Sequence, residues 1–226
     1  MATRPIYIPQ TEGNYLVRTD MVDFEWFAGF SVSQKQKSIH SLHTAALKKD
    51  SSLSPILEIS SKSKEPLGIA LSAFNLIILT AAGKPLASVE CVFQSSKVFE
   101  GDKQFLDLLK VSSREAKKDP RLKESGKLIA FRPNGKKDKE WSLNPLTVYI
   151  NALKQHEEYH EELLSYAAFS DIEFNPEKSI NCQAYSVALF CALHKRGILR
   201  DVLKSQQDFL TIYQDFKVNN AAMDLI

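Results

Sequence analysis

Three side chains in residues 88–99, SVECVFQSSKVF, could do chemistry together. Glu90, Gln94 and Lys97 stand at i, i+4 and i+7, the spacing that lines one face of an α-helix over two turns. An acid, an amide and an amine aligned in a cleft can hold a sugar and perform proton transfer or covalent work on it. Val89, Val92, Phe93 and Phe99 supply apolar flanks, which would turn that polar face toward a lined pocket. The plain alternative is a polar stripe on the surface of a packed helix, since charge at helical spacing is common.

A second stretch competes for the role. Residues 156–160, HEEYH, fit the H-E-x-x-H pattern, in which two histidines one helical turn apart hold zinc and the Glu activates its water. The neighbours argue against it. Glu157, Glu158, Glu161 and Glu162 crowd the turn, whereas a catalytic zinc helix needs an ordered, largely apolar setting. A third ligand would have to be Glu173, Glu177 or His194, and none lies in a recognisable second half of the motif. The residues therefore read as a charged helix surface whose apolar stripe, Ile150, Leu153, Leu163 and Leu164, packs inward.

The elements that must position these groups follow from pattern and punctuation. The aromatic stretch from residue 22 gives way to a helical pattern by residue 47, with Ile39, Leu42, Ala46 and Leu47 on one side and Ser31 or Ser33 as cap. Residues 48–66 read as a Ser- and Lys-rich connector holding one short strand, PILEIS. Residues 67–85 read as a buried helix or helix–strand pair ended by a turn at Gly83. Ser88 can cap a helix of about four turns that stops at Gly101. Residues 102–122 continue as helix up to Pro120, 127–133 form a strand and 134–141 a turn-rich loop. Pro145 opens a long helix through Ala168. A loop over 169–180, a helix over 181–196, a break at Gly197 and a last helix over 199–217 complete the chain. The fold class is α+β and helix-rich, with a few short strands in a single domain over 1–226.

Composition narrows the function. Twenty-nine Lys and Arg against 27 Asp and Glu leave a net charge of +2, so a polyanion must be met by a local patch and not by a basic tail. Cys91, Cys182 and Cys191 are odd in number and lack C-x-x-C spacing, which speaks against a disulfide framework or structural zinc and for a reducing cytosol. The N-terminus lacks a long apolar stretch, and the apolar run at 67–79 is short of a membrane span and contains Asn75, so no membrane association is expected. There is no P-loop, no GxGxxG and no metal-ligand set, and no cofactor is expected.

The segment with Ser88, Glu90, Phe93, Gln94 and Lys97 resembles the signature helix of the NADAR family, Ser/Thr-x-Glu-x-x-Phe/Tyr-Gln-x-x-Lys-Phe. Here Val98 separates Lys97 from Phe99, where many members have Lys-Phe adjacent. More loosely, residues 24–31, FEWFAGFS, which include Phe30, look like the family's aromatic and glycine-bearing N-terminal loop. Residues 141–149, WSLNPLTVY, and 171–176, DIEFNP, look like further pocket wall. The resemblance implies an N-glycosidase of the branch that acts as an antitoxin, removing ADP-ribose from guanine bases of DNA and reversing a DNA-directed ADP-ribosyltransferase toxin. The implied partners are ADP-ribosylated DNA and a cognate toxin.

Such a reaction passes through a cationic sugar, so it calls for a carboxylate, a proton for the leaving base and a nucleophile for ribose C1. Glu90 can supply charge or proton transfer. Lys97 can attack C1 as a neutral amine if burial lowers its pKa, giving a Schiff-base intermediate that water hydrolyses. Gln94 would position a ribose hydroxyl or a phosphate. Trp141 or Trp26 can stack on guanine or adenine, or simply be core. Asp171 and Glu173 can bind ribose hydroxyls, with an N-cap role for Asp171 or plain solvation as the alternatives. Lys35, Lys37 and Arg132 are candidates for the pyrophosphate or the DNA backbone. Two other readings stand beside this one: an N-glycosidase for a small ribosyl metabolite, and a non-catalytic module that binds ADP-ribose or the toxin.

Overall fold

The computed structural model describes residues 1–135, 146–175 and 183–203. It is an α+β fold whose described residues divide into two compact units, Met1–Ser72 with the chain from Glu157 onward, and Ala73–His156.

The first unit is built on a four-stranded sheet. Strands β1 (Ala2–Pro9) and β2 (Val17–Phe24) pair antiparallel from Ala2↔Phe24 to Pro9↔Val17, and the turn between them closes with Gln10 N–H donating to Leu16 O at 2.9 Å. Strand β9 (Ala168–Ser170) runs antiparallel to β1 and parallel to β3 (Ile56–Glu58), giving the order β2-β1-β9-β3. Helix α1 (Val32–Lys49) is capped by the Ser31 hydroxyl and packs against β2. Its Ile39, Leu42 and Ala46 join Ile6, Ile8, Val22, Phe24, Ala168 and Ile172 in one core. Those spacings put the three apolar residues of α1 on one stripe. Helix α8 (Gln183–Lys195) is buried along nearly its whole length and packs on β1 and β9. It ends where Gly197, at φ 73°, lets its N–H reach His194 O and the N–H of Ile198 reach Leu193 O. After β3 in the chain comes the short helix α2 (Pro66–Ala70), where Gly68 meets the strand backbone closely. A methyl group at Gly68 would run into the carbonyl oxygen of Glu58 and the Ser63 hydroxyl.

The second unit centres on helix α3 (Val89–Ser96). Its start is fixed by Ser88, whose hydroxyl accepts the Cys91 N–H at 3.2 Å and lies 2.8 Å from the Ser113 hydroxyl. Strands β4 (Ile77–Leu79) and β5 (Pro85–Ser88) form a two-stranded sheet around the Gly83 turn. Strands β6 (Lys97–Phe99), β7 (Lys103–Gln104) and β8 (Leu128–Phe131) form a three-stranded sheet with β6 in the middle. The short helices α4 (Ser113–Lys118) and α5 (Arg121–Glu124) follow, and α6 (Leu146–Lys154) packs against α3. Cys91, Leu108 and Ala116 form a core cluster.

Several expectations need correction. Residues 1–32, to which the sequence pattern assigns no strand, carry the β1–β2 hairpin with Ile6 and Ile8 in the core. The helix expected to run on to Gly101 is eight residues long and hands over to β6 at Lys97, which pairs with Phe131. Residues 102–122 are a strand end, a 3-10 turn and α4, not one helix, since the Ser112–Glu115 capping box starts a helix afresh. The helix expected from Pro145 to Ala168 is α6, a 3-10 turn at Glu157–Tyr159, α7 (His160–Leu164) and then β9. The rest of the 134–141 loop beyond Gly135, and the last helix beyond Leu203, lie outside the described residues. Among the described residues no helix is long and apolar enough to cross a membrane.

Candidate functional site

Residues 156–160 do not form one helix, so the one-face geometry that a zinc pair needs is missing. The His156 Nε2 lies 2.7 Å from Ile77 O, and the His160 ring lies against Phe190 with centroids 4.9 Å apart. Glu157, Glu158, Glu161 and Glu162 are exposed, as a charged surface turn requires. Among the described residues no group of three or more His, Cys, Asp or Glu is arranged to hold a metal ion. Glu177 lies outside them.

The Glu90, Gln94 and Lys97 set is positioned by the junction between α3 and β6. Glu90 sits in the first turn, where helix N–H groups favour a carboxylate, and its own N–H donates to Ala73 O at 2.8 Å. The Gln94 Nε2 donates to Glu90 Oε1 at 2.8 Å, and both side chains are buried. That bond fixes the amide's orientation, because only its NH2 can face a carboxylate oxygen. Gln94 Oε1 is then a buried acceptor with no hydrogen-bond partner. Unmatched acceptors of this kind are costly and uncommon.

Lys97 caps α3 with an extended backbone and opens β6, so it is not on the helical face of Glu90 and Gln94. The three come from one segment but from two kinds of backbone. The Lys97 side chain is half-buried, with Nζ 4.7 Å from the centroid of the Phe93 ring, which stacks on Phe131 at 5.3 Å. Burial holds its amine below the ordinary lysine range, Glu90 opposes this, and Lys117 adds to it. The arrangement can therefore present a neutral, nucleophilic amine near a carboxylate.

Arg132 is in the same unit but buried and committed elsewhere. Its guanidinium pairs with Asp102 at 2.8 Å, while its backbone N–H donates to Ser96 O and its carbonyl accepts from Gln104. It braces the strand beside Lys97.

The other residues named from sequence lie in the first unit. Trp26 is half-buried and covered by cations, with Lys35 Nζ 4.6 Å and the Arg4 guanidinium 5.6 Å from its ring. Lys35 also pairs with Glu173 at 3.3 Å, which ties it into this cluster. Phe30 is fully exposed, and Lys37 is exposed on α1. Asp171 is buried, and its carboxylate accepts the Glu173 N–H at 3.0 Å. Its carboxyl is pushed up to about 8, first by burial and then by the charge of Glu58, against hydrogen bonds from Glu173 and from the Gln183 side chain. Trp141 lies outside the described residues.

Glu58, Ser170 and His43 were not visible in the sequence as a group. Glu58 accepts the Ser170 hydroxyl at 2.5 Å and the Ile172 N–H at 2.9 Å, and the His43 Nε2 is 2.7 Å from Ser170 Oγ. A buried carboxylate on β3 was the available signal, but PILEIS does not reveal which residue it meets.

A family model for DarT1-associated NADAR antitoxins matches residues 2–223. The chain belongs to that family. The NADAR match spans both units, so both the α3–β6 junction and the Asp171 cluster lie within it. No curated protein matches the chain.

Proposed function

We propose that this NADAR antitoxin is an N-glycosidase that removes ADP-ribose from guanine bases of DNA. The observation that carries the reading is Lys97, an amine held toward its neutral form by burial and placed on a helix-to-strand junction near the Glu90 carboxylate. Membership among DarT1-associated antitoxins supports a toxin counterpart.

In the proposed reaction the base departs from ribose C1 as Glu90 stabilises the positive charge growing on the sugar. The Lys97 amine bonds to C1 as the C1–base bond breaks, one of its protons passes by way of Glu90 to the departing base nitrogen, and the other goes to the ring oxygen as the ring opens to a Schiff base. Water then hydrolyses the C1–N bond, which releases ADP-ribose and returns the amine. Gln94 Oε1 is an acceptor, so it suits a ribose hydroxyl and not a phosphate oxygen. In the first unit, as a group separate from the α3–β6 junction, Asp171 and Glu173 are proposed to bind ribose hydroxyls, and Lys35 and Phe30 to bind phosphates and a base of the DNA substrate. The proposed steps need no metal. Cys91 and Cys191 are buried free thiols, which suits the cytoplasm proposed as its compartment.

The test is mass spectrometry of a guanine-ADP-ribosylated oligonucleotide incubated with the protein in chelator. Recovery of unmodified DNA with release of ADP-ribose is expected. An untouched substrate with folded protein would remove the DNA reading and leave a small ribosyl metabolite or a purely binding role.

A further inference from the structure

We propose that Glu58 is a positioning residue for Asp171: from β3 its carboxylate pins the residues on both sides of Asp171, and His43 of α1 secures that clamp through Ser170. The geometry is directional. Glu58 Oε2 accepts the Ser170 hydroxyl at 2.5 Å and Oε1 accepts the Ile172 N–H at 2.9 Å, so one carboxylate holds positions 170 and 172. Because the Ser170 proton goes to Glu58, Ser170 Oγ has only lone pairs to offer the His43 Nε2 at 2.7 Å, and His43 is the donor. His43 donates in its neutral form, and burial, aided by His40, pushes its pKa down to about 4. All four residues belong to the first unit.

The clamp also sets the state of Asp171. Burial raises the Glu58 pKa, and the hydrogen bonds from Ser170, Ile172 and Ser60 work against that rise. Asp171 has the Glu173 N–H and the Gln183 amide of α8, and it faces the charges of Glu58 and of Glu173, the latter paired with Lys35 of α1. With its pKa pushed up to about 8, Asp171 is kept neutral near pH 7. A neutral carboxyl can donate as well as accept, so Asp171 would meet a ribose oxygen as a donor. This last point rests on the proposed function; the clamp does not.

The experiment is a carboxyl-carbon NMR titration of the full chain, with Asp171 assigned through Asp171→Asn, on wild type, Glu58→Gln and Ser170→Ala. The wild-type Asp171 midpoint should lie near 8. Glu58→Gln should lower it by about 1 to 3 units, because a like charge has gone. Ser170→Ala keeps that charge and loosens only the clamp, so the midpoint should hold while KM for the ADP-ribosylated oligonucleotide rises several-fold at unchanged kcat. An Asp171 midpoint in the ordinary carboxylate range, or one that ignores Glu58→Gln, overturns the proposal. If Glu58→Gln does not fold, the wild-type midpoint and the Ser170→Ala split of KM from kcat decide it. The titration needs no substrate, so a protein that titrates as expected but leaves the oligonucleotide untouched supports the clamp and overturns the DNA reading alone.

Discussion

Lys97 and Asp171 are opposite charges treated in the same way by two different units. Burial strips each toward its neutral form, but the neighbours differ: Lys97 has a carboxylate, Glu90, that pulls it back toward the charged state, whereas Asp171 has like charges that push it further. Opposite charge nearby restrains a shift and like charge amplifies it. A reactive amine gains from that restraint, since an amine with too low a pKa is a poor nucleophile. A group that only needs to be a hydrogen-bond donor has no such limit.

The largest break in this comparison should come from Lys97→Met. Cleavage of the modified oligonucleotide should fall by about 10³-fold or more, and the adduct that borohydride traps on wild-type protein should vanish from the mass spectrum. Glu90→Gln should separate two properties that are otherwise coupled. Cleavage should drop by about 10²-fold or more, while acylation of Lys97 by an amine reagent at pH 7.5 speeds up, because the carboxylate that raises its pKa is gone. Slower labelling in that variant would show that Glu90 does not act on Lys97.

Asp171→Asn should reverse the usual expectation for an acid. Its folded pKa of about 8 lies above the unfolded value of about 3.9, so between those values the folded chain binds the extra proton and stability falls as pH rises. The variant should therefore melt higher than wild type at pH 9, and that advantage should shrink steadily as pH falls and be smallest below about pH 3.9, a contrast that thermal unfolding reads directly. The smallest effect belongs to Ser88→Ala, which removes the α3 cap and should cost about 1 kcal/mol in denaturant unfolding while leaving the pH profile of cleavage in place.

How much of this was legible depends on the distance over which each feature is decided. Helix α1 was readable because its cap and its apolar stripe lie within one window. The start of α3 was readable for the same reason, through Ser88. Its end was not: Ser95 and Ser96 look like helix continuing, and only pairing with Phe131 on β8 draws Lys97 into a strand. Likewise, the types and order of Glu90, Gln94 and Lys97 were visible, but their common helical face was a false inference from spacing. Asp171 could be named as a candidate from its loop. Its condition could not, because Glu58 and the Ser170 hydroxyl are 112 positions apart in the chain.

Gly68 gives the acid cluster a dependence that has nothing to do with protons. Because even a methyl group there would strike the Glu58 carbonyl, the smallest possible enlargement of α2 would shove the strand that carries the clamp. In a library of all single substitutions, this position should tolerate almost nothing while the exposed residues beside it vary freely. Inheritance would then guard Glu58 at a site that never touches its side chain.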